Sequence, residues 1–283
     1  MRILDVPAFL RRLGVTEAEP PGVAALGRLH RAFVERVPYE AVEIQLGRLT
    51  PLDPLVSADR IVRLRRGGYC FHLNGALAEL LRALGYRVAL HPGGVQGHPD
   101  SPAGVGHGHL ALTVRDLPDS DEVWLVDAGM GDGPHSPLPL REGVHRQGPF
   151  TFRLRRSEVT DGWRFDHDPR GGFHGMDFST ATARMADFAD KHLELSTSPE
   201  SGFVRTFGVL RVDGGGRDVL RALTLSRISG TTTSTVLERE ADWSAALADV
   251  FGLTFPAHER KILWAKAVAQ HEAHVSPTVN PSS

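Results

Sequence analysis

A single cysteine sits where a glycine pair gives way to a helical pattern, in Arg66-Gly67-Gly68-Tyr69-Cys70-Phe71-His72-Leu73-Asn74. The apolar residues Phe71, Leu73, Leu77, Leu80, Leu81 and Leu84 follow at helical spacing, and Gly85 is a suitable C-terminal stop. Gly67-Gly68 lets the backbone turn sharply, so Cys70 falls at the first turn of a helix whose leading N–H groups lack intrahelical acceptors. A thiol becomes a useful nucleophile as the thiolate, and helix N-termini and imidazolium neighbours both favour that form. The same N–H groups can receive the oxyanion of an attacked carbonyl. A small buried hydrophobe is the alternative role for a lone cysteine.

Bulk properties narrow the setting. The 283 residues are 41% hydrophobic and 23% charged, ordinary values for a globular chain able to bury a large core. The net charge of -2 supplies no electrostatic reason to expect nucleic acid or an anionic membrane as partner. One cysteine excludes an internal disulfide and any zinc site built from cysteine alone. Met1 to Pro7 lack the apolar run of a signal peptide, and no stretch approaches a membrane span. A reducing cytoplasm is therefore the expected location.

Texture changes along the chain. Pro7 to Leu13 and Gly22 to Val37 read as helices, the second with Leu26, Leu29, Phe33 and Val34 on one face before Pro38 stops it. From Val88 to about Phe165 short β runs alternate with Gly, Pro and Asp, clearest at 88–90, 109–115, 123–127 and 150–154. A β-barrel or an open antiparallel sheet is expected there. A helical stretch after Asp177, to about His192, comes next, then strands at 203–212 and 223–228. Helices at 241–251 and 256–273 follow, and 275–283 is expected to be a frayed tail.

Register joins a histidine to an aspartate. A hairpin centred on Pro118 sets Thr113 opposite Val123, Ala111 opposite Leu125 and His109 opposite Asp127. Directly opposed residues share a face with Cβ atoms about 4.5–5.5 Å apart. The carboxylate would then orient the imidazole and stabilise its charged form. His107 lies two residues before His109, on the same side of an extended strand, so zinc held by the His-x-His pair with Cys70 or Asp127 is the rival chemistry. Gly129, Gly131 and Gly133 follow the second strand without a helix, so they fail the dinucleotide fingerprint. They read as a loop open to close ligand approach, or as a plain turn.

The segment from Arg66 to Asn74 closely resembles the Arg-Gly-Gly-x-Cys-x-Glu-x-Asn signature of arylamine N-acetyltransferases. His109 with its apolar strand, Leu125 to Gly131, Val37-Pro38-Tyr39-Glu40 and Ser196 to Phe203 resemble further segments of that family, in the same order along the chain. The resemblance implies an α+β fold with a cysteine-protease-like Cys-His-Asp core. Residues 1–88 would form a helical bundle carrying Cys70, 89–190 a β-barrel carrying His109 and Asp127, and 191–283 an α/β lid. It implies acyl transfer from a thioester, typically acetyl-CoA as a co-substrate and not a resident cofactor, through an acyl-Cys70 to a small amine, arylamine or hydrazine. Cys70 is then the nucleophile, His109 the proton carrier and Asp127 its orienter. Tyr39, Phe71, Met130 and Phe203 would meet substrate, and Gly129 and Gly131 the co-substrate. Relatives that form amides from carrier-protein thioesters supply a second reading, and hydrolysis by a thiol or zinc enzyme a third. The chain departs from the family at His72, where glutamate is usual, at Ala41 for an asparagine, and at Tyr39 and Met130 for phenylalanines. His72 is expected to point away from the Cys70 face as a packing change.

Overall fold

A computed structural model describes residues 3–106 and 108–275. His107 and the expected tail from residue 276 onward lie outside the described residues. Among the described residues no helix is long and apolar enough to cross a membrane.

The N-terminal helices Val6–Arg12, Val23–Arg36, Pro54–Arg63 and Cys70–Ala83 share one apolar cluster. Phe9, Leu26, Phe33, Ile61, Leu77 and Leu81 are among its fully buried members. Two of the helices start on an aspartate with a proline one or two residues on. Asp5 accepts from the Ala8 amide at 2.9 Å and Asp53 from the Leu55 amide at 2.8 Å, satisfying N–H groups that the helix leaves free. The helix at 54–63 carries this signal plainly in Asp53-Pro54, although the periodicity reading passes over it.

Eight antiparallel strands form a nearly closed barrel in the order Leu138–Pro139, Trp124–Leu125, His109–Arg115, Arg87–Gln96, Gly175–Ser179, Gly162–Asp166, Phe150–Arg156 and Gly143–Gln147. Phe150, Phe152, Phe165, Met176 and Phe178 fill it. The two edges are tied by side chain: Gln147 exchanges hydrogen bonds with the Ser136 backbone, at 2.8 and 2.9 Å. The Cys70 helix packs across the strand His109–Arg115, bringing Cys70 and His109 to the same junction.

A second sheet runs Tyr39–Glu40, Gly208–Asp213, Gly216–Arg221, Thr224–Ile228 and Thr232–Val236, all antiparallel. Its first strand comes from the N-terminal part of the chain, pairing Tyr39 with Leu210. The helices Glu240–Asp249 and Ala257–Val275 cover one face with Trp243, Leu247, Leu263 and Ala267, and Trp243 donates its indole N–H to the Ala222 carbonyl at 3.0 Å.

Two expectations are corrected. The helical stretch expected after Asp177 starts later: Gly175–Ser179 is a strand, and the helical region proper is a 3-10 turn, Met185–Phe188, and the helix Ala189–Thr197. Met176 and Phe178 are drawn into the barrel core, while Asp177 on the other face pairs with buried Arg164 at 2.6 Å. Tertiary burial overrides the local pattern there. The strand placed at 203–212 begins instead as a helical turn, Gly202–Arg205, which Ser201 caps by accepting from the Phe203 amide, and turns to strand at Gly208.

Gly67 marks the tightest approach near the Cys70 helix. A Cβ there would lie 1.7 Å from the Pro38 carbonyl oxygen, a backbone atom that cannot move without unseating the strand at Tyr39. Gly67→Ala is expected to lower folding stability by about 3 kcal/mol, from overpacking against the main chain. Urea denaturation checks this, and a midpoint equal to the parent's would contradict it.

Buried histidines give a second prediction. Burial pushes His30 down to about 4, and burial, with the neighbouring His192 and Arg60, pushes His72 down to about 3. Both are neutral in the native protein, whereas in the unfolded chain they take up protons near pH 6.5. Their contribution is thus complete above pH 6.5 and is lost as pH falls towards 4. The combined slope is roughly 2–3 kcal/mol per pH unit. His72→Gln should remove about half of that acid slope in chemical denaturation curves; a slope indifferent to the substitution would show that His72 charges freely.

Candidate active site

The turn before the Cys70 helix is fixed from both sides. Arg66 is buried, bonded to Glu40 at 3.1 Å and Glu43 at 3.0 Å, and its guanidinium lies 4.8 Å over the Phe255 ring. The Glu40 amide donates to the Gly68 carbonyl at 2.9 Å. Tyr69 is the N-cap, so the amides of Cys70 and Phe71 are the first two of the helix and have no acceptor within it. Cys70 is 3% exposed, with its sulfur 3.9 Å from the Gly108 carbonyl oxygen.

His109 opens its strand and places Nε2 2.7 Å from Asp127 Oδ2, both side chains buried. Nδ1 is the ring nitrogen left over, and Cys70 is the other side chain whose proximity favours the charged ring. Burial disfavours the imidazolium here. The charge and hydrogen bond of Asp127, joined by Cys70, outweigh it and raise His109 to about 10. A charged imidazole beside a sulfur in a dry site is the arrangement that favours thiolate chemistry.

Asp127 is itself held by two further donors. Asn74 Nδ2 reaches Oδ1 at 2.7 Å and the Gly129 amide reaches it at 2.8 Å. The same Asn74 side chain donates to the Leu110 carbonyl at 2.6 Å and accepts from the Ala128 amide at 2.9 Å. It therefore bridges the strand that carries His109 and the segment that carries Asp127. The sequence reading gives Asn74 no role; the signal was its spacing, one turn after Cys70 on the same helix face.

The register expectation is corrected while its outcome stands. Thr113 pairs with Leu125 and Val114 with Trp124, two residues away from the pairing drawn about Pro118. The turn closes between Leu117 and Ser120, and one extra residue on the return side before Trp124 makes a bulge. The half-step of the turn and the bulge each add one residue to the offset. A shift of two preserves the face, so Asp127 still meets His109, diagonally and not directly across.

Residues expected at a substrate wall separate into groups. Tyr39 and Phe203 come together with ring centroids 6.4 Å apart, and Tyr69 joins them 4.8 Å from Phe203. Phe71 has no exposed surface and packs against Tyr69 and Phe188, apart from the Tyr39–Phe203 pair. Met130 is buried in the barrel cluster, folded back over Gly133, and does not join Tyr39 and Phe203. The close approaches that Gly129 and Gly131 permit are made by the protein itself. A Cβ at 129 would lie 2.7 Å from the Cys70 Cα, and one at 131, where φ is +78°, would lie 3.0 Å from the Tyr39 ring. Among the described residues no group of three or more His, Cys, Asp and Glu side chains is placed to hold a metal. His72 points away from this junction, edge-on to Tyr69 with ring centroids 4.7 Å apart, in keeping with packing.

Known proteins place the arrangement. The N-acetyltransferase family model matches residues 22–260. An arylamine N-acetyltransferase of Mycobacterium tuberculosis is 32% identical over 236 residues, covering 81% of this chain and 82% of that protein. The crystal structure of Nocardia farcinica arylamine N-acetyltransferase superposes with a TM-score of 0.83 at 31% identity, covering 92% of this chain and 93% of that one. The Mycobacterium marinum arylamine N-acetyltransferase in complex with CoA gives 0.84 at 29% identity, covering 93% and 98%. The chain belongs to the arylamine N-acetyltransferase family.

Proposed function

We propose that this protein moves an acetyl group from acetyl-CoA to an aromatic amine or hydrazine through an acetyl-Cys70 intermediate. The observation that carries the reading is the convergence of Cys70, His109 and Asp127 at one buried junction, with the imidazole charged at neutral pH. Acetyl-CoA as donor is supported by the CoA complex of the related M. marinum protein.

In the first half-reaction the Cys70 thiolate adds to the thioester carbonyl. The oxyanion so formed has the Cys70 and Phe71 amides at the helix start as donors. Collapse expels the CoA thiolate, which takes the proton from His109, leaving acetyl-Cys70 and a neutral imidazole. In the second half-reaction the amine nitrogen adds to that acetyl group and gives its proton to His109. Cys70 then leaves as thiolate, and the imidazolium is restored. Asp127 accepts from Nε2 and holds the proton there, so Nδ1 is the nitrogen that exchanges protons. Tyr39 and Phe203, with ring centroids 6.4 Å apart, would receive an aromatic acceptor.

Two experiments test this. Intact-protein mass after incubation with acetyl-CoA should rise by one acetyl group, located to Cys70 and absent from Cys70→Ala; a chain left unmodified would remove the intermediate. Asp127→Asn should slow acetylation of a simple aromatic amine by roughly a hundredfold or more, because the imidazole loses its orienting charge. A rate within a few-fold of the parent would show that His109 works without it.

A further inference from the structure

Arg217 is a buried charge that the proposed chemistry leaves unused. It lies on the strand Gly216–Arg221 with no exposed surface, its guanidinium 3.9 Å from the Phe150 ring centroid. Nη1 donates to the Asp132 carbonyl at 2.8 Å and lies 3.0 Å from Asp132 Oδ2. Asp132 Oδ2 also accepts from the Gly172 amide at 2.6 Å, and His167 Nε2 lies 3.3 Å from Oδ1. A strand of the second sheet and the turn between two barrel strands thus converge on one residue, five positions after Asp127.

The pair is poorly built for stability alone. Arg217 Nε and Nη2 find no acceptor among the described residues, so the desolvation of a full charge is only half compensated. What the pair does is hold the segment 127–133. That segment contains Gly129, Gly131 and Gly133, and its backbone freedom has to be removed from outside. At one end Asp127 Oδ1 accepts from the Gly129 amide, and Gly129 abuts Cys70. Tyr39 packs on Gly131, and Asp132 is the anchor at the other end.

We propose that Arg217 and Asp132 are a positioning pair for the His109–Asp127 couple. By pinning the far end of the glycine segment to the second sheet, they keep the Asp127 carboxylate on His109 Nε2 during turnover. The proposal rests on the roles given above to Cys70, His109 and Asp127.

The test compares Asp132→Asn, Arg217→Met and the double variant. Each single change strands a buried partner and should lower thermal stability, whereas the double change should restore most of it. Acetylation of Cys70 by acetyl-CoA should stay slower by roughly tenfold or more in the double variant, since a small misplacement near the reacting atoms is costly. By 15N NMR, His109 should lose its proton well below the pH of about 10 that its surroundings set in the parent. A double variant with parental acetylation rate and parental His109 titration would overturn the proposal and leave the pair a structural contact. Should the double variant not fold, Arg217→Lys keeps the charge without the planar fork, and the same two readouts decide in the same way. Failure of the underlying reading is separate: the parent protein itself would then take no acetyl group on Cys70.

Discussion

A carboxylate taken out of water must find donors, and the placement of Asp127 follows from which donors the fold provides. The three are His109 from the barrel, Asn74 from the helical region, and the amide of Gly129 from its own segment. Removing any of them leaves an ion in a low-dielectric interior, so helix, strand and loop are locked to a common point. Cys70 inherits its position from that lock. It shares a helix face with Asn74, and the missing side chain at Gly129 lets the loop rest directly on the Cys70 Cα. The same bonds that organise the chemistry therefore also join the helical region to the barrel.

Much of this was legible because it is local. The Gly67-Gly68 turn, the helix running to Gly85 and the strand at 109–115 all carry their signals within a few residues. The Cys70, His109 and Asp127 segments could be picked out for the same reason. The partnership of His109 and Asp127 survived a wrong register because side chains in strands repeat every second residue, and the actual offset is two. What could not be read depends on distant partners. The strand at 175–179 exists because Arg164 neutralises Asp177 on one face while the barrel takes Met176 and Phe178 on the other. Tyr39–Glu40 becomes a strand because Val209 and Leu210 come alongside it. Neither fact is encoded in the neighbouring residues.

The pocket residues show the same limit more sharply. Resemblance places Phe71, Met130, Tyr39 and Phe203 together as a wall, yet only Tyr39 and Phe203 meet. Phe71 follows Cys70 by one residue on a helix, a rotation of about 100°, which carries it off the sulfur's face and into the core. Met130 has flexible torsions and a glycine at 133 to fold over, so it fills the barrel cluster where a rigid ring could not bend. The two expected wall residues that do meet, Tyr39 and Phe203, come from distant segments, with Tyr69 bracing the second.

Several histidines are buried within reach of the Cys70 helix, and their surroundings separate the one that can carry a proton from those that cannot. His72 lies two residues past Cys70, about 200° around the helix, and meets Tyr69 and His192 with no carboxylate to bond its nitrogens. Burial keeps it neutral, as it does His30, whose Nδ1 faces the His135 carbonyl. His109, by contrast, has the Asp127 carboxylate within hydrogen-bond distance and Cys70 as a second neighbour, and there charge outweighs burial. The two kinds of histidine respond to pH in opposite senses. Above pH 6.5 the unfolded chain gives up a proton that native His109 holds to about pH 10, and below 6.5 it takes up protons that native His30 and His72 refuse, so stability falls in both directions. Near neutral pH His30 and His72 are thus uncharged while the histidine beside Cys70 is charged.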